Sequence, residues 1–519
     1  MRKALGGDKD SPNTMHKIRS IGYSIAGALF LVGLALLNTG EPTIKPNPLF
    51  KIAINALYVA LIIFALCQTY IFIKQKQPLK MKIHSFLIST KNKFTESKIF
   101  FMCLFAIIVL AFISLIFTVD KKLSAVYLRR FLLEPSIFLI TIYFYFASIN
   151  VRAKIIFLYV FVAICMLQPL FTIIDFFDFM TERHMKFSDT DNTHSLGFYR
   201  AMPIFFSEAQ TGYAFFLLIP LSISIGGLIA TKYKALFAIL VIINLIACTF
   251  AGTRFLYIAT IVVCAMPFFI FSYKHKYKII SLVGIVIFAF FVSLYYISAS
   301  FSDRYNLQKI LDNVAKIWSM PPAAMGKFDS LCVSNRICMP QSLPKDSHIE
   351  LEHSSLSRIS MTKSAILAIL DNPFRPNGFG LILFGKNIAQ IFAKSPQNMP
   401  YPIQIQRDGS ILPYYWTNHN GVLYIWFQLG VFGVIFMIWL HAWIFMQMRT
   451  LYKKHNLRPK NSFNILAQIF SISLTLLLVG LIVSNLFDAL PNRAGQIMLF
   501  MIFGIALAII PASAQKDLS

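Results

Sequence analysis

The sequence predicts an all-α polytopic membrane protein, with about twelve transmembrane helices and a large exterior (periplasmic) loop between the ninth and the tenth. Three observations predict it. Of 519 residues, 57% are hydrophobic, and the mean hydropathy is +0.65. The apolar residues fall in blocks of about 17 to 25, the length that crosses hydrocarbon. The basic residues, which leave a net charge of +26, crowd the short connections between blocks, where they set orientation.

Taken in order, residues 1–19 form a cytoplasmic N-terminus carrying Arg2, Lys3, Lys9, Lys17 and Arg19. No Ala-x-Ala site follows, so the first span reads as an uncleaved anchor. Spans one to nine occupy 20–298, near 20–38, 50–73, 99–119, 131–149, 155–176, 211–230, 235–251, 255–272 and 278–298. An exterior loop at 177–210 interrupts them. Lys74, Lys76, Lys80 and Lys82, then Lys232 and Lys234, then Arg449, Lys453 and Lys454 fall on the cytoplasmic face in this count. Lys121, Lys122, Arg129 and Arg130 oppose it. Residues 299–418 form the large periplasmic loop. Spans ten to twelve follow within 419–512, near 421–446, 463–485 and 495–512, and 513–519 is a cytoplasmic tail.

Within 299–418, Leu356, Ile359, Ser360, Ala365, Ile366, Ile369 and Leu370 recur at helical spacing. They predict an amphipathic helix lying along the outer membrane surface, ending before Asn372-Pro373 and a glycine-containing turn. Residues 321–350 and 395–415 read as irregular loop. Cys332 and Cys338 are the two cysteines outside the spans; an oxidising compartment allows a short-loop disulfide, and two unpaired thiols are the alternative. Cys67, Cys103, Cys165, Cys248 and Cys264 sit in apolar runs as small packing residues.

Composition and motifs exclude several functions. Basic residues spread between spans make no nucleic-acid face. The halves show no repeat and no mid-span carboxylate pair, which weighs against a transporter, the competitor from a different class. There is no His-Glu-x-x-His or Walker element, so neither a metal nor any cofactor is expected.

His419 and Asn420 precede Gly430 and Gly433 in the pattern His-Asn-x9-Gly-x-x-Gly. This resembles the signature of the bacterial O-antigen ligase and O-antigen polymerase family. The two glycines predict close approach to a neighbouring helix. Thr253-Arg254 is similar to the family's Thr-Arg element at the outer end of a span. Arg358, with Asn372, Pro373, Gly378 and Gly380, resembles loosely its arginine followed by an Asn-Pro-x-x-Gly-x-Gly turn; the turn here is longer and holds a second proline, Pro376. Arg200 and Glu208 stand in a further arginine-then-polar segment, although Glu208-Ala209-Gln210 replaces the Glu-Pro-Ser of some polymerases.

The resemblance implies an inverting, metal-independent glycosyltransferase of the bacterial inner membrane. Its donor is a polyprenyl-diphosphate-linked glycan; its acceptor is the lipid A core for a ligase, or a second lipid-linked glycan for a polymerase. A protein O-oligosaccharyltransferase is a third form. His419, Arg254 and Arg358 are the expected catalytic residues, with Arg200, Glu208 and Asn420 binding substrate. The chemistry is consistent: guanidinium groups bind phosphate oxygens in bidentate fashion, and an imidazole accepts a hydroxyl proton.

Overall fold

The computed structural model describes residues 12–37, 48–74, 97–182, 210–251, 254–270, 317–328, 353–380, 383–401, 403–405, 411–413, 418–456, 461–487 and 493–514. The protein is an all-α polytopic membrane protein. Its helices are α1 (Pro12–Leu37), α2 (Pro48–Lys74), α3 (Lys98–Phe117), α4 (Lys121–Leu128), α5 (Glu134–Ser148), α6 (Val151–Glu182) and α7 (Gln210–Ala230). There follow α8 (Lys234–Phe250), α9 (Arg254–Ile270), α10 (His353–Asp371), α11 (Leu383–Ile391), α12 (Gly421–Asn456), α13 (Ser462–Phe487) and α14 (Arg493–Ala514).

Seven segments are long and apolar enough to cross a membrane, at 17–37, 48–74, 98–117, 121–148, 151–178, 421–453 and 462–486; shorter apolar helices lie at 215–230, 234–250, 256–270 and 493–509. These coincide with every expected span except the ninth, 278–298, which lies outside the described residues. The centre of the bundle is α13, buried along most of its length and packed against α7, α9 and α12. Peripheral helices instead leave large apolar side chains exposed, among them Leu66, Phe105, Ile116 and Trp439, as faces turned to lipid must.

The expected fourth span begins earlier than its hydropathy. Asp120 caps α4 by accepting the Leu123 N–H at 3.0 Å, and one π-helical turn, Arg129–Leu133, carries α4 into α5 without a break. Lys121, Lys122, Arg129 and Arg130 are therefore exposed residues of a helical corner between α3 and α5. Behind it, the Arg493 guanidinium at the start of α14 pairs with the buried Glu134 carboxylate, at 2.6 Å. Tyr58 Oη donates to the other carboxylate oxygen at 2.8 Å, so one acidic group joins α2, α5 and α14.

The segment ahead of α12 differs from expectation in two ways. Helix α10 ends at Asp371 as predicted, but its apolar face meets protein: Ala365, Ala368 and Ile369 join Phe384, Ile388, Tyr424 and Phe427 in a second hydrophobic cluster. Two serines on its polar stripe are buried too, with a half-buried lysine beside them. Ser360 donates to Pro322 O (2.8 Å) and accepts the Tyr401 N–H (2.7 Å), Ser364 donates to Asn398 O (2.7 Å), and Lys363 donates to Trp318 O and Met320 O. Serines bonded to loop carbonyls can be buried on a helix, and hydrophobic periodicity does not register them. The stretch 395–415, read as irregular, contains a short antiparallel ribbon instead, Ile403–Ile405 (β1) against Ile411–Pro413 (β2), with Ile403 opposite Pro413.

Candidate functional site

His419 adopts a left-handed backbone, with φ of 50°. Histidine tolerates this region better than branched residues do, and here it turns the chain into α12. Asn420 caps that helix: its side-chain oxygen accepts the Leu423 N–H at 2.9 Å, its backbone carbonyl accepts the Tyr424 N–H at 2.9 Å, and its amide donates to Leu486 O at the end of α13, also at 2.9 Å. The residue expected to bind substrate thus fixes the half-buried histidine beside it. Asn418 is fully buried and accepts the Asn420 N–H at 3.2 Å, while its own amide nitrogen has no partner among the described residues. Nothing in the motif singled out Asn418; its place next to the histidine was the available signal. Replacing Asn420 with alanine is expected to lower stability by about 1 kcal/mol through loss of the cap. Aspartate is expected to keep the cap and lose only the bond to Leu486, an order that thermal unfolding in detergent reads directly.

The first motif glycine breaks α12. Gly430 has φ 71° and ψ 179° inside an otherwise helical run. The turn following α10 docks into this break. Val431 N–H donates to Pro373 O at 3.0 Å and Trp426 Nε1 to the same carbonyl at 2.9 Å. The freed Phe427 carbonyl accepts both the backbone and the side-chain N–H of Asn377, at 3.1 Å each, and Gln428 donates to Gly380 O at 3.1 Å. A Cβ on Gly430 would lie 2.5 Å from Phe374 O. The close neighbour is thus a loop backbone rather than another helix, and Gly433 faces Leu429 of its own helix.

The turn is also fastened to the α3–α4 corner. Gly378, at φ 105°, leaves no room for a Cβ beside Thr118. Asn387 accepts the Val119 N–H at 3.1 Å and donates to Asn377 O; Ser124 donates to Phe379 O at 2.8 Å. Lys386 pairs with Asp120 at 2.9 Å. The Leu123 N–H and then the Lys386 ammonium hold the Asp120 carboxyl below the usual carboxylate range.

The predicted arginines fall as follows. Arg254 is the first residue of α9. That start shares one end of the bundle with His419: Leu218 of α7 and Val263 of α9 both lie beside Gly480 of α13, whose last turn meets the cap of α12. Arg358 lies on α10, half-buried, and among the described residues its guanidinium has no hydrogen-bond or ion-pair partner. Arg358 sits near the start of α10, whose opposite end leads into the turn on Trp426–Val431. The side chain of Arg254, and the whole of Arg200, Glu208, Cys332 and Cys338, lie outside the described residues. Below the site, Leu104, Ile107, Phe379, Tyr424, Leu429 and Phe503 help line an apolar cavity of about 90 Å³.

The O-antigen ligase family model matches residues 237–438. That stretch contains Arg254, Arg358, the docked turn, His419 and both motif glycines; Arg200 and Glu208 precede it. No curated protein matches the chain.

Proposed function

An O-antigen ligase region at the centre of a multi-pass membrane protein points to glycan transfer, and we propose that this protein moves a glycan from a polyprenyl-diphosphate carrier to an acceptor hydroxyl at the periplasmic face of the inner membrane. The acceptor in this reading is the lipid A core. The observation that carries it is the start of α12, where a capped helix, a left-handed histidine and the turn docked at Gly430 form one rigid unit.

The acceptor oxygen attacks the anomeric carbon, the bond from that carbon to the diphosphate breaks with inversion, and His419 takes the hydroxyl proton. The departing electron pair settles on the diphosphate, whose charge Arg254 and Arg358 stabilise with permanent guanidinium charge and no metal. Arg358 is suited to this because it has no protein partner among the described residues. Arg200 and Glu208 bind donor or acceptor sugar in this scheme, and Asn420 positions the histidine.

The test is envelope glycan profiling in a deletion strain complemented with wild type or His419→Ala, with membrane insertion checked. Loss of general-base catalysis costs about 10² to 10⁴ in rate, so the variant is expected to leave long chains on the carrier lipid. Single repeats capped on the core would identify a polymerase instead, with a second lipid-linked glycan as acceptor. Loss confined to glycosylated protein would identify a protein acceptor. An unchanged profile with a well-inserted variant would remove His419 from the chemistry and reopen transport.

A further inference from the structure

The docked turn also helps to form a second pocket. Phe117, Arg375, Asn377, Asn387, Gln390 and Ile391 enclose about 200 Å³ between the α3–α4 corner, the turn and α11. Docking of the turn runs through Pro373, Phe374, Asn377, Phe379 and Gly380. Among the described residues no side-chain hydrogen bond or ion pair of Arg375 takes part, so the scaffold leaves this arginine to some other use.

Its guanidinium lies over the Phe117 ring, 5.2 Å from the centroid, which holds the planar fork in one orientation. The nearest fixed carboxylate on the corner, Asp120, is taken by Lys386 and the Leu123 N–H. Asn377 and Asn387 are buried and locked by bonds to Phe427 O and the Val119 N–H. Gln390 is exposed at the rim. Lys121, Lys122 and Lys394 flank the pocket-forming segments and are exposed, as is Asp371 ahead of the turn. Two features set the ligand class. An unpaired guanidinium held on an aromatic face takes a carboxylate or phosphate in bidentate fashion. The exposed Gln390 amide at the rim and the Ile391 side chain suit the hydroxyls and apolar face of a sugar, and the volume lies below the roughly 300 Å³ at which drug-sized pockets begin.

We propose that this pocket is a subsite for one anionic sugar unit, a pyranose bearing a carboxylate or a phosphate, on the glycan or on its acceptor. The proposal rests on the glycan-transfer reading. Its geometry supports that role: Pro373, two residues from Arg375, sits on Trp426, about 10 Å along α12 from His419.

The full chain in phosphatidylcholine nanodiscs is titrated with glucuronate, glucose 6-phosphate and glucose, followed by saturation-transfer NMR, and inorganic phosphate is read by its displacement of glucose 6-phosphate. At least one charged sugar is expected to bind, with glucose much weaker. Arg375→Gln, at an exposed position whose side chain makes no hydrogen bond or ion pair among the described residues, is expected to weaken binding about tenfold or more, and His419→Ala to leave it unchanged. Absence of binding, equal affinity in Arg375→Gln, or glucose binding as well as the charged sugars overturns the proposal. Inorganic phosphate matching glucose 6-phosphate reduces the pocket to an ion site and overturns it too. So does Arg375-dependent displacement of the sugar by phosphatidylglycerol discs, which assigns the pocket to a lipid headgroup. Failure of the transfer reading shows separately, as an unchanged glycan profile in His419→Ala.

Discussion

Gly430→Ala is expected to cost about 3 kcal/mol or more and to abolish activity in whatever fraction still folds. The backbone there, at φ 71° and ψ 179°, occupies a region open essentially to glycine alone, and forcing another residue into it costs of order 1–3 kcal/mol. The added Cβ would also stand 2.5 Å from Phe374 O. Relieving that clash moves the turn, and with it the bonds from Val431 and Trp426 to Pro373 O and from Asn377 to Phe427 O. Each net hydrogen bond is worth about 1 kcal/mol, and each buried group left unpaired costs more. Thermal unfolding in detergent, alongside glycan profiling, checks this. Gly433→Ala is the comparison: an added Cβ would stand 2.3 Å from Leu429 Cβ, but its backbone is helical and no loop backbone faces it, so the loss is expected to be smaller. Equal stability of wild type and Gly430→Ala would mean that α12 is continuous.

Breaking the Glu134–Arg493 pair from either side is expected to cost about 3–5 kcal/mol, because the survivor is a buried charge without its counter-ion. The side chains are only 6% and 14% exposed, so water does not screen the loss. Glu134→Gln also leaves the Tyr58 hydroxyl bonded to a neutral group. The double variant Glu134→Met/Arg493→Met is expected to recover most of the stability, since an apolar pair of similar volume avoids desolvating two ions. Unfolding midpoints of the four proteins form the cycle that reads this. A double variant as unstable as the sum of the singles would show that the pair does not act as a unit.

The buried acid illustrates where sequence reading stops. Glu134 is visible as a carboxylate near a span end, but its partner is 359 positions away, and no local pattern announces a contact at that range. The turn and the glycine break are a second case. His419, Gly430, Asn372, Pro373 and Gly378 are each legible as motif positions, yet neither spacing says that the turn enters the break or that Asn420 is a cap tied to α13. A third is α10, whose period predicted the helix and its end at Asp371, while the serine bonds that clamp it to loop carbonyls leave no mark on that period.

What the sequence determined by itself is the set of properties that depend on neighbours in the chain. These are the membrane-crossing helices, because hydrocarbon demands continuous apolar runs whose backbone is satisfied within the helix, the end of α10, and the motif that marks the site. Tertiary structure alone decided which of those pieces meet. The break at Gly430, the Arg375 pocket and the Glu134–Arg493 pair each need groups from distant segments to satisfy one another after water is gone. That requirement arises only once the helices are packed.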